Sequence, residues 1–156
     1  MLERGEKRQD NKVKTLSTHL KDKEEKIQQL VQRLMDQSEK GTPIIVEGKN
    51  DEETLRRLGV IGRIICAKTG GKSRLDLISE IEATTAKEII LLLDFDRRGK
   101  EWTKAIKQNL EILGVKADTA FWSELHGLAG RELKDIEGLA AYLGTLKKKI
   151  GETWFW

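Results

Sequence analysis

One cysteine and one proline occur in 156 residues, and aromatic residues make up only 5% of the chain. A single cysteine, Cys66, excludes an internal disulfide framework, and its apolar surroundings read as those of a small buried hydrophobe. The two histidines, His19 and His126, stand far apart and without companion cysteines, so no zinc-ligand pattern exists. No apolar run approaches the ~18 residues that a membrane-spanning helix requires. The opening MLERGEKRQDNK has no apolar segment of the kind a signal peptide needs. The chain is therefore expected in the cytoplasm, with no membrane partner. A net charge of +3 is too small to imply a polyanionic ligand by itself, and the placement of the charges matters more. What the chain has in excess is charge of both signs, 35% of residues against a usual ~25%. With so little proline, that composition predicts a helix-rich protein with a heavily solvated surface.

Residues 1–12 are polar and expected to fray. Residues 13–38 contain neither glycine nor proline. Their apolar positions Val13, Leu16, Leu20, Ile27, Leu30 and Leu34 step by three, four, seven, three and four, a heptad seam with Lys23 in one of its places. This predicts one long helix, ended by Gly41 and blocked by Pro43. The seam is short for an isolated coiled coil, so the helix is expected to dock on the body or to pair with another chain, as a homodimer or with a protein partner.

Beyond Pro43 short apolar runs alternate with helical segments. Strands are predicted at Ile44–Val46, Ile64–Ala67, Ile89–Leu93 and Val115–Phe121, and helices at Asp51–Leu58, Ser73–Ile81, Lys100–Leu113 and Asp135–Ile150, with a glycine-containing loop before the last. Such alternation implies an α/β fold in which a parallel sheet is covered by helices on both faces. The division expected is a helical extension over residues 1–40 and an α/β domain over 41–156.

Right-handed crossovers bring all the C-terminal strand ends to one edge, where open α/β sheets bind ligands. Glu47-Gly48-Lys49-Asn50-Asp51 follows the first strand, Lys68-Thr69-Gly70-Gly71-Lys72-Ser73-Arg74 the second, and Asp94-Phe95-Asp96-Arg97-Arg98-Gly99 the third. Glu47, Asp94 and Asp96 should converge there, ringed by Lys49, Lys68, Lys72, Arg74, Arg97, Arg98 and Lys100. Carboxylates suit a hard cation such as Mg²⁺, which keeps several waters and needs only a few protein oxygens. The bases would hold the phosphates that bare carboxylates repel. An acidic pair directly after five aliphatic residues is costly to hold near the core without a ligand. Asp51, by contrast, reads first as a residue of a helix start. Bringing Glu47 to Asp94 and Asp96 requires strands one and three side by side, hence the order 2-1-3-4. Two other motifs fail on spacing. Gly71-Lys72-Ser73 would complete a P-loop only with glycine at Cys66, and a D-x-D-x-T phosphatase motif would need threonine at Arg98.

A strand ending in VEGKND followed by a strand ending in LLLDFDRRG resembles the Toprim domain, a Rossmann-like module of bacterial-type primases, topoisomerases and small nucleases. Glu47, Asp94, Asp96 and Gly99 match its pattern over about residues 43–140. Val46-Glu47-Gly48-Lys49 is similar to the same segment in the ribonuclease that matures 5S ribosomal RNA and in small primase-like archaeal proteins. The resemblance implies a glutamate acting as general acid or base and aspartates binding Mg²⁺ during phosphodiester chemistry, with Glu47, Asp94 and Asp96 as both catalytic and metal-binding residues. Phe95 departs from the proline common at that place, and the lone Tyr142 lies far from the motif, which argues against topoisomerase chemistry. The segment Lys134-Asp135-Ile136-Glu137 either adds acids to the site, as in some relatives, or simply starts the last helix.

Phosphate contacts are expected from Lys49, Lys72, Arg74, Arg97 and Arg98, and nucleic acid, RNA before DNA, as the partner. Three functions stay open. These are Mg²⁺-dependent cleavage of structured RNA, primase-like nucleotidyl transfer on the same residues, and non-catalytic binding within an RNA-processing or DNA-repair assembly. The terminal Trp154-Phe155-Trp156 is expected to pack on the body or on a neighbouring chain, with base stacking as the alternative.

Overall fold

Gly41, at φ +103°, turns the chain out of its first helix, and its N–H and that of Thr42 reach back to the Ser38 and Gln37 carbonyls. The computed structural model describes the backbone of residues 2–154 and the side chains from 16 to 151 except Ser17; Phe155, Trp156 and the Trp154 side chain of the aromatic tail lie outside the described residues. In chain order the elements are α1 (Leu2–Glu39), β1 (Ile44–Val46), α2 (Lys49–Leu58), β2 (Ile64–Cys66), α3 (Arg74–Ala83), β3 (Glu88–Leu92), α4 (Arg97–Ile112), β4 (Lys116–Asp118), α5 (Ala120–Ala129) and α6 (Leu139–Trp154). None of the helices described is long and apolar enough to cross a membrane.

The four strands are parallel in the order β2-β1-β3-β4, as the sequence predicts. Alternation along each strand divides the core in two. Ile44, Val46, Ile90 and Leu92 face the layer of α1, α2, α5 and α6, while Ile45, Ile65, Ile89, Leu91 and Leu93 face α3 and α4. Both faces of β1 and β3 are therefore dry, which is why these two strands are almost purely aliphatic.

Four expectations are corrected. First, α1 starts at Leu2 rather than Val13, since the charged residues of the N-terminal stretch are good helix formers and no proline interrupts them. Second, its seam is buried only in part. Ile27, Leu30, Val31 and Leu34 are sealed, Leu20 is half-buried and Leu16 is 59% exposed, so the helix runs past the body it docks on. Lys23, the polar member of the seam, extends to Glu132 (3.6 Å) and lies over the Tyr142 ring. Third, the strand expected through Phe121 ends at Asp118, and the expected glycine loop is helix α5. Asp118 Oδ1 accepts from the Ala120 N–H (2.8 Å), and Phe121, Leu125 and Ala129 bury one face at four-residue spacing. Fourth, the last helix starts later than expected, at Leu139, because Asp135 closes a turn by accepting from the Gly138 N–H (2.9 Å).

The α1 junction is fixed by Ser38, whose buried hydroxyl accepts from the Gly62 N–H (3.0 Å); any Cβ at Gly62 would collide with the Ser38 backbone. Because Leu30 and Leu34 each bury fully against the sheet layer, Leu30→Ala or Leu34→Ala should cost about 2–5 kcal/mol in chemical denaturation. Leu16→Ala should stay within about 0.5 kcal/mol of wild type. Equal effects at all three positions would mean that the helix does not dock as described.

Candidate active site

Val46 pairs with Leu92 across β1 and β3, so the residues after them leave the sheet side by side. Glu47 is only 6% exposed, and its Oε1 accepts from the Asp94 N–H (3.3 Å). Its Oε2 lies 3.7 Å from Lys68 Nζ, which comes from the loop after β2. Glu47 is thus oriented from both neighbouring strands, by an amide on one side and an ammonium on the other.

Asp94 sits against this buried acid and pushes no proton away easily. Burial, then the neighbouring Glu47 carboxylate, then the charges of Asp51 and Asp135 raise its pKa from 3.8 to about 8. Among the described residues, Asp94 Oδ1 is the one buried side-chain oxygen with no hydrogen-bond partner. Such an atom is costly unless a proton or a cation meets it.

Asp96 takes a different position. It is exposed and caps α4, its Oδ1 accepting from the Gly99 N–H (2.7 Å). Gly99 is required there for closeness rather than for an unusual φ, since a Cβ would lie 2.1 Å from the Asp94 carbonyl oxygen, a backbone atom with little freedom to yield. The middle residue, Phe95, points into the core between Trp122 (5.6 Å between ring centroids) and His126 (5.3 Å) of α5. Trp122 also donates to the Leu93 carbonyl (2.9 Å). The aromatic wedge that departs from the usual proline is therefore the anchor of the loop.

The role of Asp51 escaped the sequence. Asp51 is buried and does more than start α2. It accepts from the Gly48 N–H (3.0 Å) and from the Glu137 N–H (2.8 Å), tying the loop after β1 to the 134–137 segment. Its pKa is raised chiefly by burial, with Asp135 and Glu137 adding to it. The same segment accepts the Phe95 N–H at the Lys134 carbonyl (2.8 Å), so Lys134–Glu137 does border the acidic edge. The signal for Asp51 was its place at N3 of a helix that opens with glycine, a box in which the acid reaches back to an N–H.

The basic residues divide. Arg97 and Arg98 project into solvent from the first turn of α4, Arg97 beside Glu101 (3.3 Å), and Lys49 is exposed at the start of α2. Lys72 is turned inward, its ammonium held by the Cys66 carbonyl (2.8 Å) and Glu80 (2.6 Å). Arg74 bridges to Asn109 of α4 (2.8 Å). Lys68 pairs with Glu47 (3.7 Å).

The donor set suits a hard cation. Among the described residues no three metal-ligating groups converge, but Mg²⁺ is commonly held by one or two carboxylates with phosphates and waters completing its shell. Glu47 and the unpartnered oxygen of Asp94 could supply such a pair.

A model of the Toprim domain matches residues 42–125. A UPF0292 protein of Methanocaldococcus jannaschii is 40% identical over 121 residues, covering 76% of this chain and 91% of that protein. A UPF0292 protein of Methanosarcina acetivorans is 34% identical over 127 residues, 81% of this chain and 86% of the relative. A solved structure of a protein from Aquifex aeolicus is similar with a TM-score of 0.59 at 27% identity, covering 70% of this chain and 94% of that one. The matched span includes Glu47, Asp51, Asp94 and Asp96 and stops before Lys134.

The raised pKa of Asp94 has a consequence for stability. Its folded value near 8 lies above the 3.8 of an ordinary aspartate, so the metal-free folded chain holds a proton that the unfolded chain releases. Stability contributed by this group is fully present below about pH 4 and is lost as pH rises through 8. Asp94→Asn cannot ionise, so the metal-free variant should be more stable than wild type near pH 8, with the difference shrinking toward pH 4. Thermal melts across that range in the presence of a chelator check this, and parallel pH profiles for the two proteins would refute it.

Proposed function

The chain belongs to the Toprim family, and from that footing we propose that it is a Mg²⁺-dependent nuclease acting on structured RNA. Metal-dependent nucleic-acid processing is the general business of Toprim domains. The observation that supports a catalytic reading is the Glu47–Asp94 pair, a buried acid oriented by two strands beside an unpartnered carboxylate oxygen. A surface that only binds polyanions has no use for buried carboxylates at its centre, since they repel phosphate.

Glu47 and Asp94 would hold the ion, while Asp96, engaged as the cap of α4, would reach it only by turning from that cap. Bound there, Mg²⁺ would neutralise phosphate charge and lower the pKa of a coordinated water. The chain's own residues supply the rest. The Asp94 N–H and Lys68 fix the Glu47 carboxylate, leaving it positioned to accept a proton from an attacking hydroxyl or return one to a leaving oxygen. Arg97, Arg98 and Lys49 face solvent, where they can hold flanking phosphates. Lys72 and Arg74 stiffen the loop after β2 through Glu80 and Asn109, which keeps Lys68 in place. RNA is favoured over DNA by the likeness of Val46-Glu47-Gly48-Lys49 to the 5S ribosomal RNA maturation ribonuclease.

The test is incubation of the pure protein with labelled structured RNA and DNA, with and without Mg²⁺ and nucleoside triphosphates. Mg²⁺-dependent RNA cleavage is expected. Glu47→Gln should lower it by more than about 10²-fold, while RNA affinity stays within a few-fold of wild type. Strand extension from triphosphates would assign nucleotidyl transfer instead, and tight binding without turnover would reduce the chain to a binding subunit.

A further inference from the structure

On the sheet face away from α1, between α3 and α4, lies a cavity of about 270 Å³. Buried Leu77, Ile81 and Ile106 line it, Trp102 supplies a flat aromatic wall, and Arg74 with Asn109 supplies hydrogen-bonding groups. Its place relative to the acids is fixed by Lys68. The Lys68 ammonium is 3.7 Å from Glu47 Oε2 and 5.8 Å from the centroid of the Trp102 ring, so one side chain links the acidic edge to the wall of the cavity.

We propose that this cavity receives one unpaired nucleobase of the nucleic acid whose phosphodiester lies at Glu47 and Asp94, stacked on Trp102. This rests on the reading of the acidic edge as a nucleic-acid-processing site, and adds that the substrate must be single-stranded next to the bond acted upon. Size favours one base, since the cavity sits just below the ~300 Å³ at which pockets begin to hold larger ligands. Chemistry favours a base over an aliphatic group. The lining includes the Trp102 ring, and the Arg74 guanidinium bonded to Asn109 Oδ1 (2.8 Å) leaves further N–H groups of both residues for a base edge. Charge favours it too, because a phosphate next to the bound base would lie toward Lys68, between the cavity and the acids. A base inside a duplex is stacked and paired and cannot enter without flipping out. The Lys72 ammonium at the cavity is already matched by Glu80, so it adds little net charge to the recognition.

The test is anisotropy binding of labelled single-stranded RNA of roughly eight nucleotides, carrying one abasic site moved position by position. With wild-type protein, one position should lose about tenfold in affinity and the others should change little. In Trp102→Ala that penalty should vanish, while the salt dependence of binding stays as in wild type because the phosphate contacts persist. Trp102→Phe, which keeps a ring, should retain part of the penalty. Uniformly neutral abasic sites in wild type, or a penalty undiminished in both variants, would overturn the base pocket and leave the nucleic-acid reading standing on its salt-dependent affinity. Absence of binding by the intact oligonucleotide would overturn the base pocket, and the nucleic-acid reading would fall with it only where structured RNA also fails to bind.

Discussion

Parallel pairing of β1 with β3, Val46 opposite Leu92, sets the relation between the two acids at the sheet edge. Neither Glu47 nor Asp94 could occupy its place alone. Glu47 is nearly sealed from water and depends on the Asp94 N–H and Lys68 for its hydrogen bonding and charge balance. Asp94 is displaced toward its protonated form by burial and by that same glutamate. A strand inserted between β1 and β3 would move the acids roughly 5 Å further apart and dissolve the relation. The almost wholly aliphatic character of both strands follows from the same demand, because the central strands of a sheet covered on both sides have no wet face.

Holding acids together without their counter-charge is unfavourable, and the surrounding structure supplies the restraint. Asp51 clamps Gly48 to Glu137, the Lys134 carbonyl receives the Phe95 N–H, and Asp96 caps α4 over Gly99. The bonds to Glu137 and Lys134 tie in a neighbouring segment, and the Asp96 cap fixes the turn into α4 itself. Carboxylates held this way cannot swing apart to relieve repulsion, so relief must come from a proton or a cation. The raised pKa of Asp94 is the signature of that constraint in the metal-free chain.

Much of this could be read from the residues in order. Five aliphatic residues before Asp94 and three before Glu47 fixed which strands are central, and the need to join their ends fixed the sheet order. What could not be read depends on contacts between distant segments. Asp51 carries the local signature of a helix start, and only the approach of Glu137, 86 residues later, gives it a second partner. Lys72 looks like a free loop cation until Glu80, one helix face away, claims it. Helix α5 was hidden by Gly127 within it and Gly130 just after it, although Phe121, Leu125 and Ala129 keep the helical spacing. Leu16 belongs to the same heptad seam but lies beyond the surface that seals Ile27, Leu30 and Leu34.

Phe95 shows how the two faces of the sheet divide their work. Its ring goes down into the α5 layer between Trp122 and His126, while the acids on either side of it stay at the edge. A proline at that place would fix the backbone through its own ring and would lack the N–H that Lys134 receives. Here rigidity comes from outside the loop, through aromatic packing and that one hydrogen bond. Helix α5 therefore acts as a support for the D-x-D turn, although no side chain of it was expected near the site. The opposite face needs no such anchor, and there the space between α3 and α4 stays open beside Trp102, on the side from which Lys68 reaches Glu47. One layer immobilises the acids and the other leaves room next to them, so a ligand that enters from the α3–α4 side meets a rigid acidic edge.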